Sequence, residues 1–128
     1  MSYLTFTIRA TSDVGGEPAV VFDYTARIAL TEAQILAVQK AGGDGGGSFT
    51  TIPTVDHIPA INAIIVATDQ PVNLKMASVG AADGIIALRA GGIFVAIDAQ
   101  IAAGATSNAT INNTGTNVAN LSGLVGGT

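Results

Sequence analysis

Val20-Val-Phe-Asp-Tyr-Thr-Ala-Arg-Ile-Ala-Leu30 sets the reading of the whole chain. Val20, Phe22, Tyr24, Ala26, Ile28 and Leu30 share one parity, and Asp23, Thr25 and Arg27 share the other. Side chains of an extended strand point alternately to opposite faces, so this pattern predicts a strand with one face to bury and one to expose. Upstream, Tyr3, Thr5 and Thr7 alternate with Leu4, Phe6 and Ile8 in the same way. Asp13, Gly15, Gly16 and Pro18 supply the turn between the two strands.

Period two continues downstream. Val72, Leu74 and Met76 oppose Asn73 and Lys75, while Ile93, Val95 and Ile97 oppose Phe94, Ala96 and Asp98. The segment from Gly84 to Ala90 reads as a strand ending at Gly91-Gly92, which predicts a short hairpin with the strand that follows, because glycine accepts positive φ. Near the C-terminus, 106–112 and 116–124 read as two strands joined by a turn at Asn113-Thr-Gly115. The last thirty residues, from Ala99 onward, carry no charged side chain and are rich in Asn and Thr. Two readings of that stretch stand side by side. Asn and Thr solvate the outer face of an edge hairpin, or uncharged polar strands pack on other subunits without stranding a buried charge.

One segment departs from the pattern. Residues 31–41 contain good helix formers with boundary signals at both ends. Thr31 serves as N-cap, Gln34 completes a capping box, and Leu30 and Ile35 are spaced for a hydrophobic staple. Glu32 and Lys40 match the two ends of the helix dipole, and Gly42-Gly43 stops the element. A short α-helix over 31–41 is therefore expected. The run Gly42-Gly-Asp-Gly-Gly-Gly-Ser48 reads as a flexible loop with no apolar anchor. It lacks the Lys-Ser/Thr and the following helix that a phosphate cradle requires.

About eight strands with one helix predict an all-β chain, a jelly-roll-like β-sandwich of antiparallel strands forming a single domain over 1–128. Its 128 residues fit one domain of ordinary size. Aromatic residues are only 5% of the chain, so the core must be built from Ile, Val, Leu and Ala.

Composition narrows the function. Without cysteine, disulfides, thiolate metal sites, iron–sulfur clusters and Cys nucleophiles are all excluded. The net charge is −4, and the five cations Arg9, Arg27, Lys40, Lys75 and Arg89 form no run, which argues against nucleic acid as a partner. Charged residues make up 11% of the chain, against about 25% in an ordinary soluble domain. The mean hydropathy is +0.51. A membrane is not the expected reason: the longest apolar stretch, Ile58 to Ala67, contains Pro59 and Asn62 and reaches about half the length of a spanning helix. Met1 to Ala10 has no basic start and is not expected to act as a secretory signal. Such a surface suggests that partners cover much of it.

No residue pattern supplies chemistry. His57 is the only imidazole, and Asp56 beside it points to the opposite face of an extended segment. There is no Gly-x-Ser-x-Gly elbow, no His-x-x-x-His pair and no Asp-x-Asp-x-Asp loop. Asp69 and Asp83 read as turn formers. Sequons at Asn108, Asn112 and Asn120 follow from the Asn/Thr composition, and glycosylation is not expected. Catalytic, cofactor and metal residues are accordingly assigned to none, and the chain is not expected to be an enzyme.

Three runs carry a resemblance: Ile64 to Lys75 with its Asp-Gln-Pro-Val-Asn-Leu-Lys, Gly84 to Asp98 with its Gly-Gly, and Asn112 to Ala119. Together they resemble small virion structural proteins of tailed bacteriophages. The resemblance covers roughly the C-terminal half. It implies a β-sandwich or jelly-roll protein on the capsid surface, of the cement or decoration type and often trimeric. Implied partners are further copies of the chain and a major capsid protein or other virion protein. The expected contacts are Tyr3, Thr5 and Thr7 on the N-terminal segment, and Asn108, Thr110, Asn112, Asn113, Asn117 and Asn120 on the uncharged C-terminal strands. A competing expectation is a carbohydrate-binding or host-recognition module of a tail or head appendage. That reading lacks Trp, and both Tyr3 and Tyr24 fall inside strand patterns.

Overall fold

The computed structural model describes residues 2–52, 61–76, 84–101 and 109–128. His57, Asp56, Asp83 and Asn108 lie outside the described residues. Ten strands run along the described chain: β1 (Ser2–Ser12), β2 (Ala19–Leu30), β3 (Glu32–Lys40), β4 (Thr50–Thr51), β5 (Ile61–Thr68), β6 (Val72–Met76), β7 (Gly84–Leu88), β8 (Ile93–Ile101), β9 (Ala109–Asn112) and β10 (Ala119–Gly127). They belong to two compact units, Met1–Leu30 and Thr31–Thr128.

The first unit is the predicted hairpin. β1 and β2 pair antiparallel from Ser2↔Leu30 to Ser12↔Ala19, with a register shift between Ala10 and Thr11. Its turn is closed by the Gly16 amide donating to the Asp13 carbonyl at 2.9 Å.

The second unit holds two four-stranded antiparallel sheets, of order β3-β10-β5-β8 and β4-β9-β6-β7. Residues of both sheets meet in one apolar cluster that includes Leu36, Ile64, Val66, Leu74, Ile111 and Val125. This arrangement is consistent with a β-sandwich. Among the described residues Phe94 is the one aromatic side chain packed against the cluster, which is otherwise aliphatic apart from Met76, as the composition predicted.

The helix expected over 31–41 is absent, and β3 stands in its place. Burial alternates along the segment: Leu36 is fully buried and Val38 half-buried, whereas Ile35 is 80% exposed and Ala37 and Gln39 are exposed. Nine consecutive residues of β3 pair with β10, from Glu32↔Gly127 to Lys40↔Ala119. The Thr31 amide donates to the Gly127 carbonyl at 2.9 Å instead of opening a helix. A single eleven-residue helix is marginal in water, and forming it would strip β10 of a full ladder. Tertiary pairing overrides local propensity here.

Two predicted hairpins are also corrected. β7 and β8 lie in different sheets, as do β9 and β10. The turn at Gly91-Gly92 exists, with the Gly92 amide bonded to the Arg89 carbonyl at 2.8 Å and Gly91 at φ +77°, as the third position of a type II turn demands. It carries the chain from one sheet to the other. The Gly91 amide and the Gly92 carbonyl both bond Thr68 of β5. In β10, Gly123 has φ +147°, and a β-carbon there would run into the carbonyl oxygen of Ile65. The close approach of β10 to β5 therefore requires glycine.

Candidate functional site

The polar residues expected to face other subunits divide into two groups. Thr110, Asn112 and Asn113 are buried. Asn112 sits at the end of β9, where its Nδ2 donates to the carbonyls of Gly45 and Ser48, both at 2.7 Å. Its Oδ1 accepts from Asn73 Nδ2 at 3.1 Å. Asn113 Nδ2 donates to the carbonyls of Lys40 at 3.1 Å and Asn117 at 2.8 Å, while its Oδ1 accepts from the Gly115 amide at 3.1 Å. Each amide thus uses both donors and its acceptor inside the chain, as a buried amide must.

These bonds form a clasp between the loop after β3 and the loop after β9. The Asn113 amide donates to Asp44 Oδ2 at 2.8 Å, and the Asp44 amide donates to the Asn113 carbonyl at 3.0 Å. Lys40 Nζ lies 3.0 Å from Asp44 Oδ2 and 3.2 Å from Oδ1. The Asn113 backbone hydrogen bond, followed by the Lys40 ammonium, holds the Asp44 carboxyl below its ordinary value. The Gly-rich loop has no apolar anchor, as expected, but it has polar ones. Thr110, Asn112 and Asn113, expected at an interface, are buried within the chain, and the two Asn side chains are engaged in internal hydrogen bonds. Neither of the two readings of the Asn-rich stretch anticipated this third use.

Asn117 and Asn120 are exposed. Asn120 is nonetheless engaged: its backbone amide and Nδ2 donate to the two carboxylate oxygens of Asp69 at 2.8 and 2.6 Å, and its Oδ1 accepts from Gln39 Nε2 at 3.0 Å. The Asn120 side chain, then its backbone amide, keeps the Asp69 carboxyl low. Asp69, Thr68, Gly91, Ile93 and Asn120 line an open hollow of about 380 Å³. A second hollow, of about 420 Å³, lies between Pro71, Asn73, Leu88, Arg89 and Thr114. Each is lined by one charged side chain, Asp69 in the first and Arg89 in the second. Among the described residues no group of three or more His, Cys, Asp or Glu side chains could hold a metal ion. No helix there is long and apolar enough to cross a membrane.

The N-terminal contacts are placed differently. Tyr3, Thr5 and Thr7 are exposed on one face of the β1–β2 hairpin. On that face Thr7 and Thr25 share a hydroxyl hydrogen bond of 3.0 Å, and the Arg27 guanidinium lies 3.8 Å from the Tyr3 ring centroid. The reverse face carries Leu4, Phe6, Ile8, Phe22 and Tyr24. Tyr24 stands 6.1 Å, centroid to centroid, from both Phe6 and Phe22. Phe22 is 50% and Tyr24 52% exposed. The alternation in the sequence marked this face for burial; along it Leu30 is buried and Leu4, Phe6, Ala26 and Ile28 are half-buried, whereas Ile8, Phe22 and Tyr24 are exposed. Periodicity shows that a face is to be covered and is silent on what covers it.

Compared with protein-family models, curated proteins and solved structures, the chain matches none.

Proposed function

We propose that this chain is a non-enzymatic structural protein of a bacteriophage virion, a cement or decoration protein that self-associates and bridges neighbouring subunits of the shell. We further read residues 31–128 as a jelly roll. Labelled B to I in chain order, β3 to β10 stand in the sheet orders B-I-D-G and C-H-E-F that such a fold requires.

The observation that carries the functional reading is the exposed apolar patch of Ile8, Phe22 and Tyr24 on the β1–β2 hairpin. A surface poor in charge, together with a hairpin that leaves aromatic rings half exposed, fits a molecule completed by its neighbours. A small domain of this kind buries modest area at each contact, and repetition over a symmetric shell multiplies the effect through effective concentration. The further partner is a major capsid protein or another virion protein. Carbohydrate recognition has less support, because the hollows at Asp69 and Arg89 are lined by no aromatic platform.

Mass spectrometry of purified particles tests the proposal. The chain is expected in the virion in many copies, and particles lacking it should rupture at lower temperature than complete ones. Its absence from the virion would end the reading, and specific binding on a glycan array would favour the carbohydrate alternative.

A further inference from the structure

We infer that the apolar face of the β1–β2 hairpin is the self-association surface, and that the same face of a second copy covers it. This rests on the self-association half of the reading above and names its residues. A two-stranded hairpin is marginal in water unless one face is packed. Here that face holds Leu4, Phe6, Ile8 and Ala10 on β1, paired across with Ile28, Ala26, Tyr24 and Phe22 on β2, and it is exposed at Ile8, Ala10, Phe22 and Tyr24 and half-buried at the other four.

Charge favours an identical partner. Arg9, Asp23 and Arg27, the charged residues within β1 and β2, share the opposite parity and so the reverse face. Two apolar faces can therefore meet without like charges opposed and without burying an ion.

Relief favours it as well. The large residue changes strand between layers: Phe6 stands beside Ala26, Ile8 beside Tyr24, and Ala10 beside Phe22. Each alanine leaves a hollow next to a ring. A two-fold axis running across the strands at the Ile8–Tyr24 layer lays Phe6 over Ala10 of the second copy and Phe22 over its Ala26. With the axis along the strands, Phe6 lies over Ala26 of the second copy and Phe22 over its Ala10. In both cases rings enter hollows, which is the self-complementarity an isologous contact needs. The eleven paired positions of β1 and β2 make a face roughly 35 Å long and 10 Å wide. Because Leu4, Phe6, Ala26 and Ile28 are already half-buried, a pair of such faces removes less than about 1,000 Å² from water, below the usual size of specific interfaces, so the free protein should pair weakly and reversibly.

Sedimentation velocity over a concentration series from micromolar to millimolar, combined with cysteine cross-linking, tests this. A monomer–dimer equilibrium is expected. Phe22→Asp should weaken it by about 100-fold or more, because pairing would bury a carboxylate. Thr25→Asp on the reverse face should leave it unchanged. The chain has no cysteine, so single introduced thiols report cleanly. Ile8→Cys alone should cross-link for the axis across the strands, and Ile8→Cys mixed with Tyr24→Cys for the axis along them, whereas Thr7→Cys should not. The inference is overturned by a monomer at millimolar concentration, by a trimer as the sole associated species, by equal losses from Phe22→Asp and Thr25→Asp, or by Thr7→Cys linking as fast as Ile8→Cys. A chain that pairs through this face but is missing from purified virions would overturn the virion reading and leave this one standing.

Discussion

Asn113 joins three stretches of chain through one side chain: the end of β3, the loop after β9 and the approach to β10. Asn113→Ala leaves the carbonyls of Lys40 and Asn117 and the amide of Gly115 without this partner in a buried site. Such losses cost about 2–4 kcal/mol together, and the midpoint of urea unfolding should fall accordingly. Gln39→Ala removes one exposed bond to Asn120 and should shift the midpoint by less than about 0.5 kcal/mol. Asp44 and Asp69 add a pH dependence of definite sign. Both carboxyls titrate below their ordinary value of 3.8 in the folded chain. Their contribution is complete above the ordinary value of the unfolded chain and is lost as pH falls through the lower folded value. Urea midpoints should hold steady down to about pH 5 and drop in stronger acid, where unfolded carboxylates take up protons first. The double variant Asp44→Asn, Asp69→Asn should show a shallower drop. A wild-type midpoint that rises on acidification would contradict this.

The two possible forms of residues 31–41 make different demands on neighbouring residues. In the strand, Leu36 enters the core and Ile35 faces out; a helix would have used Ile35 as the staple partner of Leu30. Leu36→Ala should therefore cost about 2–4 kcal/mol and Ile35→Ala under about 1 kcal/mol, read from thermal unfolding. Equal costs would contradict the strand. The legible and illegible parts of the fold separate along the same line. Alternation at 3–8, 20–30, 72–76 and 93–97 announced strands, and Asp13 to Pro18 announced a turn, because both signals are written within a few residues. Gly91 announced a turn too, but whether a turn returns the chain to the same sheet or carries it to the other depends on Thr68, far away in sequence. For 31–41 the capping signals were real and local, while the deciding interaction was with 119–127. The clasp was illegible for the same reason: Asn112 and Asn113 read as surface residues until the loop at 44–48 is brought against them. On the hairpin, period two marked an apolar face at Phe6, Tyr24 and Phe22, and the residues that cover it are not part of its own pattern.

At the scale of the molecule, the two compact units, Met1–Leu30 and Thr31–Thr128, divide the labour of the chain between folding and pairing in a way that can be tested. Every member of the apolar cluster, from Leu36 to Val125, belongs to 31–128, and so do both four-stranded sheets. Both sheets and the clasp close without any residue of 1–28. A chain of residues 29–128 should accordingly unfold in one cooperative transition, with an m-value in proportion to its length. The same chain should remain monomeric at concentrations where the full chain pairs, since it lacks the face bearing Phe6, Tyr24 and Phe22. Calorimetry reads the first outcome and sedimentation velocity the second. The two results carry separate weight. A broad, non-cooperative transition would mean that 31–128 depends on residues 1–28 for its fold. Undiminished pairing would move the self-association surface onto residues 31–128, where Ile35 on β3 and Ile93 on β8 are the most exposed large apolar side chains among the described residues and the ones to replace next.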